Sequence, residues 1–344
     1  MTILIITHSQ DNESISMVMK AIADQGGTAF RFDTDRFPTE LLLDVYYSQD
    51  AEQVIVTCDD QQLDLNEVSS VWYRRIGIGA KIPSTMDKQL RQASVQESRV
   101  TIQGMIASIR GFHLDPLPVI RNAENKQLQL QIARELGLDT PRTLTTNNPA
   151  AVKKFAQECE QGMVTKMLSS FAIYDDQGRE NVVFTNPVKP EDLENLEGLR
   201  FCPMTFQEKI PKVLELRTTI VGKQVFTAAV DSQALEQARF DWRKQGIQLL
   251  NAWQHYNLPA DVEAKLLQLM ERFGLHYGAI DIIVTPDDRH VFLEVNPVGE
   301  FFWLERCPGL PISRAIAETL LHQSHPQSQK ISTPVNNYAL TTQL

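Results

Sequence analysis

The sequence predicts an α/β protein, and three observations carry that assignment. The chain opens with an apolar run, Ile3 to Ile6, followed by a helix-period segment and a second strand-like run at 29–33. That β-α-β order suits a parallel sheet buried on both faces. Later strand-like runs instead fall in pairs about tight turns, as at 215–221 and 224–230 around Gly222, which is the antiparallel pattern. Amphipathic helical segments at 149–159 and 258–273 separate these pairs. With 344 residues the chain has room for two or three domains: a parallel α/β domain first, then α+β.

Composition removes several function classes. At 42% apolar and 22% charged the chain is an ordinary globular one. A net charge of −10 argues against broad nucleic-acid binding, which needs a basic field, but leaves room for a local phosphate slot. Cys58, Cys159, Cys202 and Cys307 show no metal-like spacing and are expected as reduced thiols of a cytoplasmic protein. No run reaches the roughly 18 apolar residues of a membrane span. The opening TILIITHSQD reads as a strand and loop rather than a signal peptide.

The elements follow in order. After the first strand, Ile15, Val18, Met19 and Ile22 mark a helix that stops at Gly26-Gly27. The G-x-G-x-x-G of a dinucleotide fold is absent from this opening. Strands at 54–57 and 68–73 come next, the latter running into Arg74-Arg75. Two arginines at a strand's carboxyl end stand where α/β sheets bind ligands, or they form a surface pair tied to nearby acids. A helix at 97–109 precedes Leu114-Asp115-Pro116, which closes the domain near 118. A helix is expected over 122–137, capped by Asn122 and stopped at Gly137. It carries Lys126 in its first turn, where a helix prefers acids. That position points to an anionic ligand or to a solvated side chain. Lys166 is expected at the centre of the strand 163–168, between Val164 and Leu168, where burial without an anion would be costly. A hairpin at 171–185 and a short acidic helix at 191–198 follow, then strands, the helix 258–273 and a last helix at 312–322. The polar tail from Ser324 is expected to be mobile.

The stretch 277–305 holds the strongest chemical signal. Two apolar strands, 279–285 and 290–295, flank a turn with Pro286, Asp287 and Asp288. A hairpin in that register sets Asp281 beside Glu294, and Asn296 on the same face two residues on. Two carboxylates and an amide oxygen so placed repel unless a cation joins them. All-oxygen ligation suits Mg²⁺, which favours a few carboxylates plus substrate phosphates. The plainer alternative is a solvated edge hairpin with chance acids.

Taken in order, these residues resemble the ATP-grasp ligases. The match comprises Lys126 in an early helix, LGL-x-TP-x-T, Lys166 in a strand, Q-E-x-I, E-x-R, and then D…E-x-N, over about 120–305. A narrower resemblance spans nearly the whole chain: ITHSQDNESI, FRFDTDRFPTE, VWYRR, GFHLDP, FCPMTFQE and EVNPVGEFFWLE are similar to the microviridin-type peptide macrocyclases, or graspetide synthetases. The resemblance implies an ATP-grasp fold with an N-terminal α/β domain at 1–118, a central lid domain with a leader-peptide dock at 119–205, a catalytic domain at 206–325, and a tail at 326–344. It implies ATP and Mg²⁺ as cofactors. It places Glu208, Lys209 and Ile210 at the adenine hinge, Glu215 on ribose, and Lys126 and Lys166 on the phosphates. Arg217 and Arg243 fall near the γ-phosphate and the activated carboxylate, and Asp281, Glu294 and Asn296 on the metal. It implies a precursor peptide as partner and a homodimer. The leader segment is expected on Val182 and Phe184 beside Glu191, Asp192 and Asn195, although this acidic stretch reads equally as a solvated face.

The implied chemistry is RiPP maturation. Side-chain carboxylates of a precursor would be activated as acyl-phosphates and attacked by Thr or Ser hydroxyls, giving esters. One rival is an amide-forming ligase of the same superfamily; another is a nucleotide-binding scaffold without chemistry.

Overall fold

The computed structural model describes residues 1–59, 61–168, 172–174, 180–182, 185–232 and 251–323. The first layer is a parallel sheet. Strands β1 (Thr2–Thr7), β2 (Thr28–Asp33), β6 (Val68–Tyr73) and β7 (Phe112–Leu114) lie in the order β2-β1-β6-β7. Between β2 and β6 the chain makes a separate antiparallel sheet of β3 (Leu42–Tyr47), β4 (Glu52–Cys58) and β5 (Gln61–Asp64). The strand expected at 54–57 therefore belongs to this side sheet. Ile3 to Ile6 are all fully buried because β1 has cores on both faces. Ile3 and Ile5 pack with helix α1 (Ser14–Asp24), while Leu4 and Ile6 pack with the side sheet and helix α2 (Lys88–Ser108).

Next come α3 (Leu117–Ala123) and α4 (Lys126–Glu135), two helices where one was expected. The cap of the second is Asn125, not Asn122: its side chain accepts from the Gln127 and Leu128 amides. Strands β8 (Thr143–Thr146), β9 (Met163–Lys166), β12 (Asn186–Pro187) and β13 (Met204–Glu208) form a sheet in the order β12-β9-β13-β8, with helix α5 (Pro149–Glu158) against it. The hairpin pairs β10 (Ala172–Tyr174) with β11 (Glu180–Val182). β13 runs through the boundary expected at 205/206, so the change of sheet falls between Glu208 and Leu214. The acidic segment is not an α-helix. It makes two 3₁₀ turns, Pro190–Glu194 and Glu197–Arg200, after Lys189-Pro190.

The last layer is a five-stranded antiparallel sheet, β16-β15-β14-β17-β18. Its strands are β14 (Leu214–Val221), β15 (Gln224–Val230), β16 (Gln254–His255), β17 (Tyr277–Val284) and β18 (His290–Asn296). Helix α6 (Ala260–Phe273) lies across one face with α4, ending at Gly274 in the left-handed conformation (φ 72°). Alternation along β14 and β17 sends Leu216, Ile220, Ile280 and Ile282 into that core and leaves Arg217 and Asp281 on the other face. Helices α7 (Phe302–Arg306) and α8 (Ile312–His322) then return to the first domain. Ile312, Ile316 and Leu320 pack against Ile15, Val18 and Ile22, giving both ends of the chain a common core.

Candidate active site

The site begins as a row across three strands. Arg217 on β14 stands opposite Asp281 on β17, which stands opposite Glu294 on β18. Asn296, two residues beyond Glu294, shares its face and donates from Nδ2 to Glu294 Oε1 at 3.3 Å. A bulge follows Asp281, and the register past it shifts by one residue. The Asp281 carboxylate takes Arg217 Nη1 at 2.7 Å.

β18 is the sheet's edge, and α4 is fixed along it. Gln129, 1% exposed, accepts the Val295 amide at 3.0 Å and donates to the Val295 carbonyl at 2.8 Å. This satisfies backbone groups that an edge strand would leave open. The same helix brings Lys126 over the strand end. Its Nζ lies 2.9 Å from Glu294 Oε2 and 3.1 Å from Asn296 Oδ1, and also donates to the Val295 carbonyl. An unfavourable lysine at a helix N-terminus is thus held by an acid and an amide of the neighbouring sheet.

Past Asn296 the chain is gripped by two buried guanidiniums. Arg74, 1% exposed and stacked 5.3 Å from the Trp72 ring, donates from Nη1 to the Val298 and Gly299 carbonyls. Arg217, 6% exposed and 5.7 Å from the Trp303 ring, donates from Nη2 to the Glu300 carbonyl at 3.0 Å. Tyr277 adds its hydroxyl to the Gly299 carbonyl at 2.7 Å, and burial pushes that phenol up to about 12. Gly299 admits this approach because it lacks a Cβ. One built there would sit 2.4 Å from Ala279 Cβ and 2.8 Å from Arg217 Nη2. The Glu300 carboxylate turns back to Arg74 Nη2 at 2.9 Å, to Arg75 and to the side-chain amide of Asn12. Asp11 lies behind them. Burial alone would raise its carboxyl, but the Thr7 hydroxyl at 2.6 Å, the Asn12 amide, Arg74 and Arg75 outweigh burial and lower it. The carboxyl ends of β1 and β6 thereby meet the loop that follows the row's last strand.

The remaining predicted residues lie outward from this centre. Glu215 sits on the Arg217 face, and Lys212 Nζ reaches its Oε1 at 2.6 Å. Glu208 is bound by Arg142 through both its backbone amide at 2.8 Å and Nε at 2.9 Å. The Lys209 amide donates to the Gly162 carbonyl at 2.9 Å, and Ile210 follows it in the turn between β13 and β14. Lys166 ends β9 rather than occupying its centre, and it is half-buried beside an exposed Leu168. The burial cost expected there does not arise, because the strand stops before its side chain is enclosed. Glu191 and Asp192 are exposed on the first 3₁₀ turn, where the Asp192 carboxylate accepts the Lys189 amide at 2.8 Å, and Asn195 is exposed just after it. Val182 closes β11; Arg243 and Phe184 lie outside the described residues, as do Ser169 to Phe171 and the tail from Ser324.

Sequence reasoning missed Asn12, Arg142, Lys212, Gln129 and Glu300. Asn12 stands within ITHSQDNESI, Arg142 within LGL-x-TP-x-T and Glu300 within EVNPVGEFFWLE, and Lys212 is three residues from Glu215, but Asn12, Arg142 and Gln129 acquire meaning only through partners distant in the chain.

The row fits a hard divalent cation. It presents two carboxylates and an amide oxygen on one face, with Asp281 and Glu294 side chains 22% and 18% exposed. Lys126 and Arg217 now balance their charge, as cations must when carboxylates converge. Among the described residues no group of three or more His, Cys, Asp and Glu forms a complete cage, so an ion there needs oxygens from a substrate, as Mg²⁺ prefers.

Comparison with known proteins places this geometry. A family model for the MvdD pre-ATP-grasp domain matches residues 2–121. Among solved structures, the macrocyclase MdnC of Microcystis aeruginosa MRC, bound with precursor peptide MdnA, is 60% identical with TM-score 0.86, covering 94% of this chain and 100% of that one. A Chryseobacterium gregarium RiPP-associated ATP-grasp ligase, in complex with ADP and a leader and core peptide, is 40% identical with TM-score 0.89, covering 93% and 96%. The macrocyclase MdnB of Microcystis aeruginosa MRC is 40% identical with TM-score 0.79, covering 93% and 99%. No curated protein matches in sequence. No helix among the described residues is long and apolar enough to cross a membrane. The parallel sheet feeding a clamped loop, the antiparallel sheet bearing the acid row and the identity to MdnC and MdnB along the whole fold make this chain a member of the ATP-grasp peptide macrocyclases of the microviridin type.

Proposed function

We propose that this enzyme closes rings in a ribosomally made precursor peptide by forming esters between Asp or Glu side chains and Thr or Ser hydroxyls. The observation that supports it is the row of Asp281, Glu294 and Asn296 flanked by Lys126 and Arg217, five side chains of the type and placement that phosphoryl transfer to a carboxylate requires. When bound, Mg-ATP supplies the phosphoryl group that turns an inert carboxylate into an acyl-phosphate with a competent leaving group. Asp281, Glu294 and Asn296 would hold the metal, and Lys126 and Lys166 the phosphates. Glu208, Lys209 and Ile210 would border adenine, with Glu215 on ribose. Arg217 and Arg243 would neutralise charge at the transferring group; fixed positive dipoles and charges aimed there are the main source of rate in such reactions. An alcohol is a weak nucleophile, so the chain must exclude water and hold the hydroxyl near the activated carbon.

The leader segment would dock on the hairpin around Val182 and Phe184 and on Glu191, Asp192 and Asn195, whose exposure leaves their polar atoms open to a partner. Asp192 also caps its own turn, so Glu191→Ala is the cleaner probe of this surface. An unchanged leader affinity in that variant would remove the assignment. The four free thiols fit a reducing compartment such as the cytoplasm. A homodimer, carried over from the resemblance, is checked by light scattering.

The deciding experiment incubates the enzyme with MdnA and Mg-ATP and follows mass. Each closure should remove one water and release one ADP, and mild base should restore the linear mass. Loss of water that resists base would indicate amides, and ADP release without any ring would overturn the reading.

A further inference from the structure

Arg74 and Arg75 follow β6 side by side, yet their surroundings differ. Arg74 is sealed in the interior with its Nε unpartnered, gripping the 298–299 carbonyls. The Arg75 side chain is 42% exposed, and among the described residues its one hydrogen bond is to Glu300. Its Nε lies 3.9 Å from the buried Asp11 carboxylate, so among the described residues Nη1 is the group left for a ligand at this fixed anchor. Its position is also defined: the Glu300 carbonyl is held by Arg217, whose other Nη holds Asp281. Arg75 is therefore linked to the acid row through Glu300 and Arg217, at the carboxyl ends of β1 and β6.

We propose that Arg75 binds the peptide side-chain carboxylate that is to be activated, with Glu300 and Arg74 as positioning residues. This rests on the function proposed above. A guanidinium presents parallel N–H groups that match a carboxylate's two oxygens, so it can orient as well as attract the reacting acid. Glu300 already occupies one edge of Arg75, and its second oxygen is fixed by Asn12. The guanidinium is thus aimed before the peptide arrives, which lowers the ordering cost of binding. Glu300 and the buried Asp11 balance the two arginines, leaving the free edge of Arg75 to discriminate an acid from its amide.

The test is a thermodynamic cycle on the full-length enzyme with Mg-ADP. Affinities are measured for MdnA, for MdnA with its core Asp and Glu residues changed to Asn and Gln, and for the MdnA leader alone. The wild-type enzyme should bind the acidic core about tenfold more tightly than the amide core. Arg75→Ala should bring the two within about twofold, and Arg75→Lys should restore part of the gap, while leader and ADP affinities stay unchanged. A preference that survives Arg75→Ala, or an equal weakening of both cores, would overturn the proposal. Because the cycle measures binding only, it stays readable whether or not rings form. A wild-type enzyme that binds normally but closes no ring would count against the macrocyclase reading instead.

Discussion

Asp281 faces two demands, and they can be separated. It is an oxygen donor in the row, and it is also the carboxylate that balances Arg217, whose guanidinium is 6% exposed. Removing the whole side chain would leave that charge stranded, so Asp281→Ala mixes loss of chemistry with loss of stability. Asp281→Asn keeps an acceptor for Arg217 and removes the charge. It should lower the rate of ADP release with MdnA by about 100-fold or more. Urea unfolding should show a loss of about 1–3 kcal/mol. A variant with full turnover would dismiss the row as the catalytic centre. The alternation of an antiparallel pair made this row readable from 277–305 alone, since a period of two assigns Asp281, Glu294 and Asn296 to one face. The cations that meet them could not be paired in advance, because Lys126 is 168 positions from Glu294, since 294 − 126 = 168, and reaches it only around a sheet edge.

Two segments turn separate elements into one site. The loop after β18 is clamped by Arg74, Arg217 and Tyr277, and Gly299 makes the clamp sterically feasible. In Gly299→Ala the new methyl meets Ala279 Cβ, which is fixed to β17 and cannot rotate away. The loop must shift, at a cost of about 1–3 kcal/mol. Turnover should fall more steeply than leader affinity, and unaltered kinetics would show that the loop does not set the site. The second segment joins β7 to β17. Asp115, 2% exposed, accepts the backbone amides of His276 and Tyr277 and ring Nδ1 of His276 at 2.8 Å. That bond raises the His276 pKa above its ordinary 6.5 despite burial acting the other way. Folding thus favours the protonated ring. The stabilisation is fully present below 6.5 and is lost as pH rises through the higher folded value. The urea midpoint should fall across that window, and His276→Gln should flatten the profile; an unchanged slope would refute the coupling. The same comparison explains the misplaced helix cap. Asn122 and Asn125 are equally good caps in isolation, and the break between α3 and α4 decides for Asn125.

The whole molecule is tied end to end. Helix α8 packs on α1, and the Ser70 hydroxyl donates to the Leu320 carbonyl at 2.6 Å, so the first and last layers share one core. Ile316, fully buried there, should cost about 2–5 kcal/mol on change to Ala. Unfolding should remain one transition, coincident by tryptophan fluorescence and far-UV circular dichroism, since Trp72 and Trp303 lie in that core. Separate transitions would show that the layers fold independently. Local chemistry by itself determined the α/β class, the acid row and the family likeness, because apolar period, turn residues and motif order are properties of neighbours in the chain. Tertiary structure alone decided that Lys166 ends its strand half-buried, that the acidic segment makes 3₁₀ turns, and that Arg74, Arg75 and Asn12 converge on Glu300. The convergence on Glu300 joins residues 288 positions apart for Asn12 and 225 for Arg75, and a buried charge finds its counter-charge only after the sheets have assembled.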